Sequence, residues 1–314
     1  MTGPWAGLPA DVARADAAVP ERWRALGLPG LVDVHVHFLP PRLLAAVWAY
    51  FDEASEHYGV DWPVTYRVGD DQRVALLRGL GVRAFPALAY PHKPGMAGWL
   101  NDWTLQLAAR TPGCVPSATF FPEPAAGGYV VAALAAGARI FKAHLQVGGY
   151  DPTDPLLTPV WGLLAEAAVP VVVHCGSGPV PGAYTGVGPI GEVLRRHPRL
   201  RLVVAHAGMP EYVAHAELAA RYPEVHLDTT MVGTPFVEAM MPMPAELPRR
   251  LADLGDRVVL GSDFPNIPYP YATQLDALAR LDLGDDWLRG VLWDNGVRLL
   301  GLDPRTAGTV GPPS

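Results

Sequence analysis

Apolar and polar positions along the chain keep switching between two periods. Short runs rich in β-branched and aromatic residues recur at LVDVHVHF (31–38), VRAFPALAY (82–90), VPSATFF (115–121), ARIFKAHL (138–145), VPVVVHC (169–175), LRLVVAHA (200–207), EVHLD (224–228) and RVVLGSD (257–263). Between most of them lie alanine- and leucine-rich stretches of helical length, at 70–81, 127–137, 156–168, 190–197 and 210–222. Gly or Pro usually marks the helix exit. Regular alternation of strand and helix implies crossover connections and a parallel sheet. Eight such units in roughly 230 residues predict an α/β fold of the (β/α)8 TIM-barrel type, which typically needs ~250 residues. The rival, a doubly wound open sheet, announces itself by a glycine-rich phosphate turn after its first strand. Here HFLPPRL follows instead.

Three stretches fall outside the rhythm. Residues 1–30 read as an N-terminal extension with one helix, 31–303 as the barrel and 304–314 as a C-terminal tail. Residues 40–68 and 91–103 read as insertions after strands 1 and 2, and both are rich in aromatic side chains. Loops that follow barrel strands gather at the C-terminal face, where substrates bind. The insertions are therefore pocket walls, or else inserted helices that pack on the rim or against a second subunit.

In a strand, residues i and i+2 share a face. Asp33, His35 and His37 thus point one way, and Val32, Val34, Val36 and Phe38 the other. The valines suit the outer face beneath the helices, which turns the histidines into the barrel. Burying polar groups without partners costs a few kcal/mol each. Other strand ends repeat the pattern: apolar until the last residue or two, then His174, His206 or Asp263. Imidazoles and a carboxylate from strands 1, 5, 6 and 8, all at one end, are the usual ligands of a catalytic divalent metal. Asp33 is either an acceptor that orients a ligand imidazole or a structural group. Cys175 alternates to the face opposite His174, which argues against a nucleophilic role.

Composition narrows the class. Hydrophobic residues make up 50% and charged residues 18%, enough for a large core. The net charge of -7, without basic runs, disfavours nucleic acid and anionic membranes as partners. Two unpaired-looking cysteines, no signal-peptide pattern and no apolar run near ~20 residues suggest a cytoplasmic protein.

HxH after strand 1, His after strands 5 and 6, and Asp after strand 8 resemble the amidohydrolase superfamily. GSDFP (261–265) in particular resembles its amidohydrolase-related branch, which includes aminocarboxymuconate-semialdehyde decarboxylase and its relatives. The resemblance implies a metal-dependent barrel enzyme, with His35, His37, His174 and Asp263 as metal ligands and His206 as a catalytic or second-metal residue. Lys142 resembles the strand-4 lysine that, carboxylated, bridges two metals in binuclear members. The competing reading is an ordinary lysine paired with a substrate carboxylate or a nearby acid. One ion is preferred over two; Zn suits the ligands, with Mn, Fe and Co as alternatives.

Two activities suit such a site. The first is hydrolysis of an amide, ester or lactone of a small molecule by activated water, with Asp263 as base and then acid and His206 on the water or oxyanion. The second is non-oxidative decarboxylation of an aromatic or unsaturated acid. That route also needs a carboxylate clamp, for which Arg42, Arg67, His92, Lys93 and Lys142 are candidates, none placed by a motif. Hydrolysis is preferred for that reason. A non-catalytic binding barrel has no use for buried imidazoles, and a nuclease would want a strand-4 glutamate. Among the other histidines, His144 and His92 are candidates for substrate contact. The aromatic insertions suggest an apolar or ring-containing substrate and are compatible with a homodimer.

Overall fold

The computed structural model describes residues 3–303, so the C-terminal tail expected at 304–314 lies outside the described residues. Nine strands are present among them: β1 (Leu31–Val32), β2 (Val82–Pro86), β3 (Cys114–Val115), β4 (Ser117–Thr119), β5 (Ile140–His144), β6 (Val171–His174), β7 (Leu202–Val204), β8 (Val225–Asp228) and β9 (Val258–Val259). Every neighbouring pair is parallel, in the orders β1-β2-β3 and β4 through β9. β3 and β4 form one barrel strand interrupted at Pro116. Proline has no N–H to donate to a ladder, so the regular pairing breaks there. The eight predicted runs therefore correspond to eight barrel strands.

The first and last strands also meet. Val34 N–H donates to the Leu260 carbonyl at 2.9 Å and His37 N–H to the Phe264 carbonyl at 2.8 Å, and Val36 bridges Phe264 in parallel. On the other side Leu88 N–H donates to the Val36 carbonyl at 2.8 Å. The segment after β1 is thus held from both flanks, and its histidines are carried on backbone that cannot swing.

The alternation read from LVDVHVHF holds for the apolar half. Val32, Val34, Val36 and Phe38 are all fully buried in the main core. Helices cover the barrel at Asp70–Leu80, Ala97–Arg110, Ala126–Ala135, Thr158–Ala167, Val187–Arg196 and Tyr212–Arg221. Glycine at the exit of the first of these, Gly81, has φ +87°, and a Cβ there would lie 2.5 Å from the Trp23 indole.

The N-terminal extension has two helices where one was expected, Ala10–Ala17 and Val19–Ala25. It is fastened to the barrel: Trp23 Nε1–H donates to the Leu80 carbonyl at 3.0 Å, and Asp16 accepts from the Tyr66 hydroxyl at 2.5 Å and from Ala272 N–H at 3.0 Å. After β1 come the helices Pro41–Asp52 and Ala54–Tyr58. A small core of Leu39, Leu44, Ala89, Met96 and Leu100 docks the first of them on the barrel rim. After β2 the irregular stretch is shorter than 91–103, because Trp99 and Trp103 already stand on the helix Ala97–Arg110. No helix of the described residues is long and apolar enough to cross a membrane.

Candidate metal centre and its cavity

Three donor atoms converge at the C-terminal mouth of the barrel. His35 Nε2 lies 3.2 Å from His37 Nε2, and Asp263 Oδ1 lies 2.8 Å from the latter and 3.3 Å from the former. The partners of the other ring nitrogens define the tautomers. His35 Nδ1 faces an Asp228 oxygen at 2.8 Å, and His37 Nδ1 faces the Leu88 carbonyl at 2.9 Å. A carboxylate and a carbonyl only accept, so both Nδ1 atoms carry the hydrogen and both Nε2 atoms present lone pairs. Burial, reinforced by the nearby Lys142 charge, lowers the His35 pKa to about 4, which keeps that ring neutral. Two lone pairs and a carboxylate oxygen so close together repel one another unless a positive charge sits among them. Their spacing is also what a divalent ion with ligand bonds of about 2.0–2.2 Å imposes on adjacent donors. The donor set therefore fits a metal.

Lys142 is the cation that the chain itself supplies. It is fully buried, and its Nζ lies 2.9 Å from His35 Nε2. Burial lowers its pKa to about 8 despite the pull of Asp263 and Asp228.

His174 stands beside the three-donor group and is not part of it. Its Nε2–H donates to the Gly178 carbonyl at 2.9 Å, which leaves Nδ1 as the lone-pair nitrogen, and its ring stacks on His144 with centroids 4.1 Å apart. His206 completes the cluster, with its centroid 4.9 Å from His174 and 5.3 Å from His35. Its Nδ1 is buried with no hydrogen-bond partner among the described residues. His206 and Asp263 both sit on left-handed backbone, with φ of 56° and 66°. Such geometry costs on the order of 1–3 kcal/mol per non-glycine residue and persists where surrounding contacts enforce it. For Asp263 the enforcing contact is its N–H donating to the His35 carbonyl at 2.8 Å.

Asp228 is a site residue that the strand-end pattern was not used to find. One of its oxygens holds His35 Nδ1, and the other accepts the backbone N–H groups of His206 at 2.8 Å and Thr230 at 3.1 Å. The signal was present, since VHLD (225–228) also ends an apolar strand in an acid. Asp33, by contrast, turns to structural partners. It accepts the His35 N–H at 3.1 Å and the Tyr271 hydroxyl at 2.9 Å, and orients no imidazole ring.

His35, His37, Asp263, Lys142, His174 and His206 form the floor of a cavity of about 540 Å³. His144 and His92 both line it, His144 buried and His92 exposed at the mouth. The insertion after β1 supplies wall residues Leu43, Val47, Phe51 and Trp62, and the irregular loop after β6 supplies Pro179, Val180 and Pro181. Cys175 is buried beside His215 and burial pushes its thiol up to about 12, so it is inert.

A protein-family model described as amidohydrolase matches residues 32–302. The chain belongs to the amidohydrolase family. No curated protein matches it. Among solved structures, an uncharacterized TIM-barrel protein from Bordetella bronchiseptica shares 18% identity over 87% of this chain and 98% of its own, with a TM-score of 0.70. The 5-carboxyvanillate decarboxylase of Sphingomonas paucimobilis shares 15% identity over 88% and 100%, with a TM-score of 0.57. A probable 2-pyrone-4,6-dicarboxylic acid hydrolase of Acinetobacter baumannii shares 12% identity over 87% and 100%, also with a TM-score of 0.57. At these identities the likeness shows the barrel fold. The amidohydrolase family and its metal-ready donor group mark the chain as an enzyme.

Proposed function

We propose that this amidohydrolase is a metal-dependent hydrolase of a small-molecule amide, ester or lactone. The observation that carries the reading is the meeting of two imidazole lone pairs and a carboxylate oxygen within 3.3 Å at the floor of a cavity. His35, His37 and Asp263 would hold one divalent ion, most suitably Zn, with His174 Nδ1 as the fourth donor. When bound, such an ion would supply acidified water and Lewis-acid polarisation of the scissile carbonyl. Asp263 takes the proton from the attacking water and returns it to the leaving group. One water is consumed, a carbon–oxygen bond forms and the bond to the leaving nitrogen or oxygen breaks. His206 hydrogen-bonds the oxygen on which negative charge develops, a role suited to a ring whose Nδ1 has no protein partner. His144 and His92 contact the substrate body.

Decarboxylation is the second reading, favoured by Lys142 Nζ on the same floor, where it could meet a substrate carboxylate. Of the other suggested cations, Arg42, Arg67 and Lys93 do not line the cavity, which leaves that clamp with Lys142 and His92. The test is metal content and turnover of the full chain and of His35→Ala. Loss of metal and of product-acid formation together is expected. Full activity in His35→Ala sinks the reading, and stoichiometric CO2 release selects the decarboxylase.

A further inference from the structure

We infer that the cavity takes an uncharged substrate carrying a flat apolar group, with an aromatic ester, lactone or amide as the class, and discriminates against substrates with a free carboxylate. The inference rests on the hydrolase reading for the reaction, but its binding half stands on the walls alone.

Among the described residues that line the cavity there is no arginine, and the one lysine is Lys142. Its Nζ lies at the floor among the proposed metal donors, 2.9 Å from His35 Nε2, and not in the walls that face the substrate body. Within the β1 insertion, Arg67 is bound to the Asp52 carboxylate and to the Trp48 carbonyl, and Arg42 is exposed; neither lines the cavity. A carboxylate on the body of a substrate would lose its water and find no cation in the wall, which is costly. The tyrosine hydroxyls of the wall cannot compensate by ionic means. Burial raises the pKa of Tyr58, so it stays a neutral donor and acceptor, suited to a neutral polar substituent.

Phe51 and Trp62 stack with centroids 5.4 Å apart, and the Trp62 indole is locked by its N–H donating to the Asn266 carbonyl at 2.7 Å. Trp48, behind them, donates to the Asn266 side-chain oxygen at 3.1 Å. Indole hydrogens that are already satisfied leave only ring faces and edges for the ligand. Because the panel is fixed before binding, little ordering cost falls on the complex. Val180 and Met209 stand among the other lining residues, and about 540 Å³ accommodates a ring-bearing molecule.

The experiment uses the metal-loaded full chain and two inert ketones of one shape, para-nitroacetophenone and para-acetylbenzoate, with binding read by calorimetry. The neutral ketone is expected to bind at least about tenfold more tightly, a modest share of the cost of burying an unpaired carboxylate. Val180→Arg, a half-buried loop position, is expected to remove or reverse that preference. Equal or tighter binding of the carboxylate by the wild-type chain overturns the inference. Turnover of para-nitrobenzyl acetate and para-carboxybenzyl acetate is measured separately. A binding preference without turnover of the neutral ester upholds the substrate class and counts against the hydrolase reading.

Discussion

Asp228 holds the His35 imidazole through one oxygen at 2.8 Å and the His206 backbone through the other, also at 2.8 Å. One buried carboxylate therefore orients a proposed metal ligand and a proposed oxyanion donor that arrive on different strands. In Asp228→Asn the amide oxygen can keep the backbone N–H groups, which turns the NH2 toward His35 Nδ1. A donor facing Nδ1 drives the ring hydrogen to Nε2, where the metal lone pair should be. Metal affinity is expected to fall about 10–100-fold, with the fold retained. Competition against a chelator measures the affinity, and circular dichroism checks the fold. Unchanged affinity would show that the His35 tautomer does not depend on Asp228.

Metal stoichiometry separates the two readings of Lys142. Among the described residues, the His35, His37 and Asp263 group is the single set of three such donors close enough to share an ion. One ion per chain is therefore expected for the wild type and for Lys142→Met, as counted by atomic emission on dialysed protein. Two ions in the wild type, falling in the variant, would instead assign Lys142 to a bridging carbamate.

Strand positions and the ends of strands were legible because each is a local pattern: a period of two, an apolar run, then one polar residue. HxH and GSD read this way, and VHLD, which ends in Asp228, carries the same local signal. Where a side chain goes after leaving its strand depends on residues far away in the chain. Asp33 finds Tyr271, 238 positions on, and His174 turns one nitrogen to a carbonyl in its own loop. The length of the stretch after β2 was overestimated because aromatic content does not distinguish a loop from the exposed face of a helix.

Close packing behind the site predicts a sharp contrast between two glycines. A Cβ on Gly261 would lie 2.3 Å from Thr230 Oγ1, 2.9 Å from His35 Cβ and 3.1 Å from Asp228 Cγ. Gly261→Ala should cost about 1–3 kcal/mol through overpacking and should also weaken metal binding, because the displaced groups carry and orient a ligand. Gly128 is exposed on the helix Ala126–Ala135, and a Cβ there would meet nothing within 4 Å beyond its own helix backbone. Gly128→Ala should stabilise by up to about 1 kcal/mol. Urea unfolding of both variants, with metal titration of the first, checks the pair. A Gly261→Ala chain as stable as wild type would mean that the strand end yields easily.

The seam between the N-terminal helices and the barrel predicts a pH dependence remote from the metal donors. Burial raises the Asp16 pKa from 3.8 to about 6, against the opposing hydrogen bonds from the Tyr66 hydroxyl and Ala272 N–H and the charge of Arg22. Arg22 is itself paired with Asp276. A raised pKa means that the folded chain holds this proton more tightly than the unfolded chain does. The contribution to stability is fully present below about pH 4 and is lost as pH rises through about 6, a loss of at most about 3 kcal/mol. Asp16→Asn removes the titration while keeping an oxygen for Ala272. The wild type is therefore expected to lose stability relative to Asp16→Asn between about pH 4 and pH 7, as measured by urea unfolding at a series of pH values. A difference that stays flat across that window would show that Asp16 is ionised in the fold at no cost.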